Sequence, residues 1–299
     1  MGIAKGAVSL LFELRKTEKF SGTICQLGRQ TTFLTSQDVI KISQSFGIDI
    51  SDYIFDETSF KLNHLMVSDI DLFKCLGFET VESMDYSNFE NSTHVLDLNN
   101  PIPKEFYEKY DAIYDGGTLE HIFNFPQCLK NIHLMLKPGG IIIHASPSHN
   151  HVDHGFYMFS PTVFYDYYKT NQYDIIRSFI FEYEAEHDKK PWIIYDYTPG
   201  SIDFLAYGGW GDKLLGIWSV SKKVLNSSCD KIPQQSFYLR AWQTTSSIKI
   251  NSEKKKRNAF VIKLISLAKR YKYIFKVIVF ILSINKKPAP NRPKIIARY

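Results

Sequence analysis

The chain is poor in cysteine, and its basic tail has a single acid and lacks any apolar run long enough to cross a bilayer. Its four cysteines, Cys25, Cys75, Cys128 and Cys229, stand far apart, and none belongs to a C-x-x-C pair. That spacing suggests neither a disulfide framework nor a zinc ribbon, and it fits reduced thiols in a cytoplasmic protein. The opening MGIAKGAVSLLFELRK carries Glu13 and lacks the apolar core of a secretory leader. Gly6 stands where a myristoylation motif places Ser or Thr, so no targeting segment is expected there. In the tail, the longest uncharged run, Val277–Asn285, falls short of the roughly 20 residues of a spanning helix.

What is present is unevenly charged. Residues 253–299 hold fourteen lysines and arginines against one acid, Glu253, a net of +13. The remaining residues hold 22 basic and 30 acidic side chains, a net of −8. A mildly acidic body with a strongly basic tail implies that the tail has its own partner. With 44% hydrophobic and 15% aromatic residues in 299, the body can bury a substantial core. We read residues 1–225 as one domain and 226–299 as a linker followed by a basic amphipathic helix.

Along the body, helical and strand patterns alternate. Ala7, Leu10, Leu11 and Leu14 mark a helix near 3–17, and GTICQLGRQ (22–30) a short strand running into a turn. Ser36 is the expected cap of a helix ending at Gly47. Residues 48–67 show no period and read as an insertion or substrate-facing loop. Next come a helix over VSDIDLFKCLGF, a strand over TVESMDYS, and a strand over THVLDLNNPIP. Residues 110–147 read as strand, Asp-Gly-Gly-Thr turn, helix, Pro-Gly-Gly turn and strand. A Ser-Pro-capped helix over 160–173 and two strands, 174–186 and 212–223, close the pattern. Such alternation predicts a mostly parallel sheet covered on both faces.

The order of these features resembles the class I S-adenosylmethionine-dependent methyltransferases over about residues 20–223. It rests on TICQLGRQ at the first strand, Asp85 after the second, VLDLN at the third, YDAIYDGGTLEHIFN at the fourth and LKPGGIIIHASP at the fifth. The resemblance implies a Rossmann-like, doubly wound α/β fold with a mostly parallel seven-stranded sheet. It implies S-adenosyl-L-methionine as cofactor, with Gly28 and Gln26 at its methionine part and Asp85 on its ribose hydroxyls. Asp97 and Leu98 would flank the adenine, although an Asx turn before Pro101 reads Asp97 equally well. Asp115, Gly116, Gly117 and Glu120 would lie at the methyl end. In the loop after the first strand only Gly28 remains of the usual three glycines, with Gln30 and Thr32 beside it, and Gln26 stands where the family usually has an acid.

Transfer to a hydroxyl needs a proton acceptor, commonly histidine. The loop SPSHNHVDHGFY follows the fifth strand, so His154 is the first candidate base and His151 the second; His121 is the third. Metal-compatible side chains occur here as well, at His149, His151, Asp153 and His154, but their spacing matches no zinc signature and no metal is assigned.

The function that follows is O-methylation of a sugar or surface-glycan precursor, a part of polysaccharide biosynthesis by analogy with proteins sharing DGGTLEHIFN and HGFYMFSP. The alternative is a methyltransferase-like fold that has lost donor binding and serves as a binding or assembly module. Nucleic acid is an unfavoured partner, because the body is acidic and the fourth strand ends in DGGT. In the tail, Phe260, Leu264, Leu267, Tyr271, Ile274, Ile278 and Leu282 share one helical face opposite Lys263, Lys269, Arg270, Lys272 and Lys276. Residues 254–287 are therefore expected to lie peripherally on an anionic membrane surface at its cytoplasmic face.

Overall fold

The computed structural model describes residues 2–56, 66–185, 190–250 and 293–299. Helix α1 (Lys5–Arg15) buries Leu10, Leu11 and Leu14, as its spacing predicts, and leads to β1 (Thr23–Leu27). Helix α2 (Ser36–Ser45) is capped by Thr35 and not by the expected Ser36. The reason is local: Thr35 accepts from the Asp38 backbone N–H while the Asp38 carboxylate reaches back to Thr35, a reciprocal box. Helix α3 (Asp69–Cys75), capped by Ser68, precedes β2 (Thr80–Asp85).

The third strand, β3 (His94–Val95), is shorter than THVLDLNNPIP suggests. Asp97 ends it, because its carboxylate accepts from the Asn99 backbone and from the Asn99 and Asn100 side-chain amides. Strand β4 (Tyr110–Asp115), helix α4 (Phe125–Met135) and strand β5 (Leu136–Pro147) follow. The Pro-Gly-Gly turn falls within β5: Tyr110 pairs with Leu136 and Ala112 with Ile141, so the extra residues loop out, with Gly139 at φ +85°. Helix α5 (Pro161–Thr170), β6 (Asp174–Tyr183), β7 (Ile193–Asp196), β8 (Leu214–Lys222), α6 (Ser236–Ile250) and β9 (Ile295–Arg298) complete the order.

The nine strands among the described residues form one sheet in the order β3-β2-β1-β4-β5-β8-β6-β7-β9. The five from β3 to β5 run parallel, and β8 lies antiparallel between β5 and β6. The count exceeds the expected seven because β7, antiparallel to β6, and β9, antiparallel to β7, extend the edge. Both are four residues long, too short for their alternation to stand out from the sequence. Trp192 and Tyr299 exchange backbone hydrogen bonds, which fastens residues 293–299 to the sheet. Two apolar layers cover the faces, one around α1, Phe73 and Trp218, the other around α4, α5 and Tyr168.

Of the segment 48–67, residues 57–65 lie outside the described residues, and so does the basic segment 254–287. No helix among the described residues is long and apolar enough to cross a membrane.

Candidate functional site

The sheet order places β1 between β2 and β4, so the loops leaving β1 and β4 diverge at the carboxyl edge of the sheet. In an open α/β sheet that divergence opens a crevice for a ligand. After β1, Gly28 takes φ +73° and donates its N–H to the Met84 carbonyl at 2.6 Å. A Cβ on Gly28 would stand 2.8 Å from Thr118 Oγ1 and 3.7 Å from Asp85 Oδ2. The ends of β1, β2 and β4 therefore converge on a bare stretch of backbone. Asp85 is half-buried there, and its Oδ1 accepts from the Ser87 N–H at 3.2 Å.

One buried carboxylate that sequence reasoning missed, Asp69, shapes this loop. Arg29 donates to it through Nε and Nη2, both at 2.8 Å, and Gln26 Nε2 and the Gln30 N–H donate to its Oδ2 at 3.0 and 3.2 Å. A charged hub thus holds the turn after β1. The Ser-Asp-Ile-Asp start of α3 reads as capping, and Asp71 does meet the Ser68 hydroxyl; nothing local shows Asp69 reaching back to residue 26. Gln26 keeps one buried oxygen, Oε1, without a hydrogen-bond donor.

At the end of β4, Asp115 is fully buried. Its Oδ1 accepts from the Thr118 and Leu119 N–H groups at 3.0 and 3.1 Å, and its Oδ2 lies 2.7 Å from His144 Nδ1. His144 Nε2 in turn meets the Tyr168 hydroxyl at 2.7 Å. The Asp115 side chain is thus turned into the protein and shapes the turn instead of lining the crevice. The adjacent glycines have separate reasons. Gly117 takes φ +95°, and a Cβ on Gly116 would come within 2.5 Å of Gln30 Oε1 and 2.6 Å of the Tyr114 ring. Gly116 thereby makes room for the Gln30 side chain.

Asp97 sits in its Asx turn with both oxygens engaged by Asn99 and Asn100, and Leu98 beside it is buried. Thr118 donates its hydroxyl to the Leu27 carbonyl, which ties the β4 turn to β1.

Glu120 and His121 follow in a single turn of 3-10 helix, Leu119–His121. The Glu120 carboxylate has no exposed surface, and neither of its oxygens has a hydrogen-bond donor. Burial raises its pKa to about 8, with the charge of Asp115 adding to the effect. His154 Nε2 lies 3.6 Å and His121 Nε2 4.0 Å from Glu120 Oε1. Burial lowers the pKa of His121, His151 and His154. His151 Nε2 pairs with the Tyr183 hydroxyl, and its ring stacks on that tyrosine. Of the four loop groups with metal-compatible chemistry, only His154 joins this cluster. His149 instead meets the Gly211 carbonyl at 3.1 Å.

Beside the loop lies an open cleft of about 610 Å³, bordered by His149, Tyr197, Asp203, Tyr207, Trp210 and Tyr238.

No protein-family model and no curated protein sequence matches the chain. Among solved structures it is similar to a Listeria monocytogenes protein assigned to the S-adenosylmethionine-dependent methyltransferases, at 13% identity and TM-score 0.38 over 74% of this chain and 99% of that one. A Thermotoga maritima S-adenosylmethionine-dependent methyltransferase aligns at 10% identity and TM-score 0.36, over 74% and 90% of the two chains. The Burkholderia thailandensis 1,6-didemethyltoxoflavin N1-methyltransferase, solved with S-adenosylhomocysteine, aligns at 9% and TM-score 0.28, over 74% and 78%. The fold itself, read from the sheet order, is Rossmann-like α/β with a largely parallel sheet.

Proposed function

We propose that the chain is an S-adenosylmethionine-dependent methyltransferase that acts on a hydroxyl of a sugar or glycan precursor. The observation that carries this reading is the meeting of Gly28, Asp85 and the Gly116-Gly117 turn where β1 and β4 diverge. The residues present suit the cofactor: Gly28 puts no side chain into the turn, Asp85 Oδ2 lies beside it, and the buried Gln26 Oε1 has no hydrogen-bond donor. Gly28 and Gln26 would hold the methionine part, and Asp85 the ribose. Leu98 would border the adenine with Asp97 in its turn, while Asp115, Gly116, Gly117 and Glu120 fix the wall at the methyl end. When bound, the cofactor supplies an electrophilic methyl group on sulfonium.

The chain's own task is then to place an acceptor and take its proton. With their pKa values lowered, His154, His151 and His121 present neutral rings near pH 7. His151 already engages Tyr183, which leaves His154 as the first choice for proton acceptor. The adjoining cleft offers tyrosine and tryptophan faces beside polar groups, a lining suited to a sugar ring, and its volume is typical of small-molecule sites. The basic segment 254–287 would keep the enzyme at an anionic membrane surface, near lipid-linked acceptors.

The test is incubation of the full chain with methyl-labelled S-adenosylmethionine and nucleotide-linked or lipid-linked sugars. Label on a sugar hydroxyl, with turnover lowered about 10²–10⁴-fold by His154→Ala, supports the reading. Binding of the cofactor with no transfer to any hydroxyl acceptor would favour a binding module.

A further inference from the structure

We propose that Glu120, His121 and His154 form a binding site for a divalent transition-metal cation of the zinc or cobalt type. Their ligand atoms all lie within 4.8 Å of one another. Two donors on one such ion, each about 2.0–2.2 Å from it, stand no more than roughly 4.4 Å apart. The 3.6 and 4.0 Å separations from Glu120 Oε1 to His154 and His121 already fall inside that limit. Two imidazoles and one carboxylate are a common ligand set for a catalytic metal with open positions.

The independent sign is the state of Glu120. A carboxyl group with no exposed surface and no hydrogen-bond donor on either oxygen is left with buried acceptors unsatisfied, and a cation bound there would satisfy them. Among the described residues no lysine or arginine forms an ion pair with it; the two histidines are its neighbours. Their side chains are 46% and 36% exposed, so an ion between them would keep its remaining positions toward solvent.

The scaffold holds this arrangement ready. Glu120 and His121 are fixed in one short turn that the Asp115 carboxylate caps. The loop carrying His154 is pinned over them. Tyr157 N–H donates to the Glu120 carbonyl at 3.2 Å, and a Cβ on Gly155 would lie 3.0 Å from that carbonyl and 3.1 Å from His121 Nδ1. Asp153, at φ +68°, turns the chain just before His154. A side chain at 155 would push the Glu120 carbonyl and the His121 ring back by a few tenths of an ångström.

The cation site stands on its own geometry and does not require methyl transfer. If both hold, His154 would be a ligand of the ion, and the ion would supply Lewis-acid activation of an acceptor hydroxyl in place of a histidine base.

Cobalt(II) titration of the chelator-stripped full chain tests the site by visible absorbance and calorimetry. We expect one ion per chain, displaced by zinc, with a rise in Tm. Glu120→Gln and His154→Ala should each weaken binding at least tenfold and remove the Tm rise, whereas His133→Gln on α4 should change neither. Circular dichroism confirms that each variant is folded. Binding of equal affinity in folded Glu120→Gln and wild type would overturn the proposal, as would no binding by wild type at millimolar cobalt. S-adenosylhomocysteine titration of the same stripped protein separates the two readings. Cation binding without it would leave the site standing and sink the methyl-transfer reading, and the reverse would do the opposite.

Discussion

Asp115 and His144 face each other across neighbouring strands β4 and β5, Oδ2 to Nδ1 at 2.7 Å, and neither side chain has exposed surface. Through its other oxygen Asp115 caps the turn that leads to Glu120. The pair therefore links the sheet to the site. Removing one partner of such a buried pair strands the other, so Asp115→Ala should cost about 3–5 kcal/mol in urea unfolding. Asp115→Asn, which keeps the size and some of the bonds, should cost less.

Asp69 should matter to the ligand more than to the fold. Apart from the neighbouring Ile70 N–H, the four groups that donate to it all belong to β1 or the loop after it. Asp69→Ala, which leaves Arg29 without its carboxylate, should weaken S-adenosylhomocysteine binding by about 1.5–3 kcal/mol, the range for a hydrogen bond to a charged group. Near-native affinity in a titration would show that the loop is held by other means.

Much of the fold was legible, and the reasons are particular. The Leu10, Leu11 and Leu14 spacing, the Ser160-Pro161 start and the Asp-Gly-Gly-Thr junction are local signals, and α1, α5 and the end of β4 fall where they point. Thr35 replaced Ser36 as cap because Asp38 sits three residues after Thr35. The third strand stopped early because the Asp97 side chain competes with the ladder. Strands β7 and β9 were not legible, since their pairing joins residues about a hundred apart through four-residue runs. The site divides in the same way. Gly28 and the Glu120-His121 pair announce themselves, but the Asp69 hub and the His144–Asp115 bond depend on contacts 29 to 43 residues apart.

Gly116 and Gln30 should be coupled. A methyl on Gly116 meets Gln30 Oε1 and the buried Tyr114 ring, so Gly116→Ala should destabilise by about 1–3 kcal/mol, as overpacking does. Adding Gln30→Gly should restore part of that loss. Strictly additive effects in denaturant titrations would disprove the coupling.

His133 gives a pH signature. Burial, with the Lys223 charge adding, pushes its pKa down to about 4, and its Nδ1 meets the Tyr173 hydroxyl at 2.7 Å. The unfolded chain therefore takes up a proton near pH 6.5 that the folded one refuses until about pH 4. This contribution to stability is intact above pH 6.5 and is lost as pH falls from there to about 4. Unfolding free energies of His133→Gln should consequently fall less steeply across that window than those of wild type.

The central claim is that the crevice between β1 and β4 holds the methyl donor. Calorimetric titration of the full chain with S-adenosylhomocysteine tests it most directly, alongside Asp85→Ala. The account predicts one site per chain and a loss of about 1–3 kcal/mol in the variant, whose ribose partner is gone. No heat of binding at millimolar ligand, or equal affinity in Asp85→Ala, would contradict it.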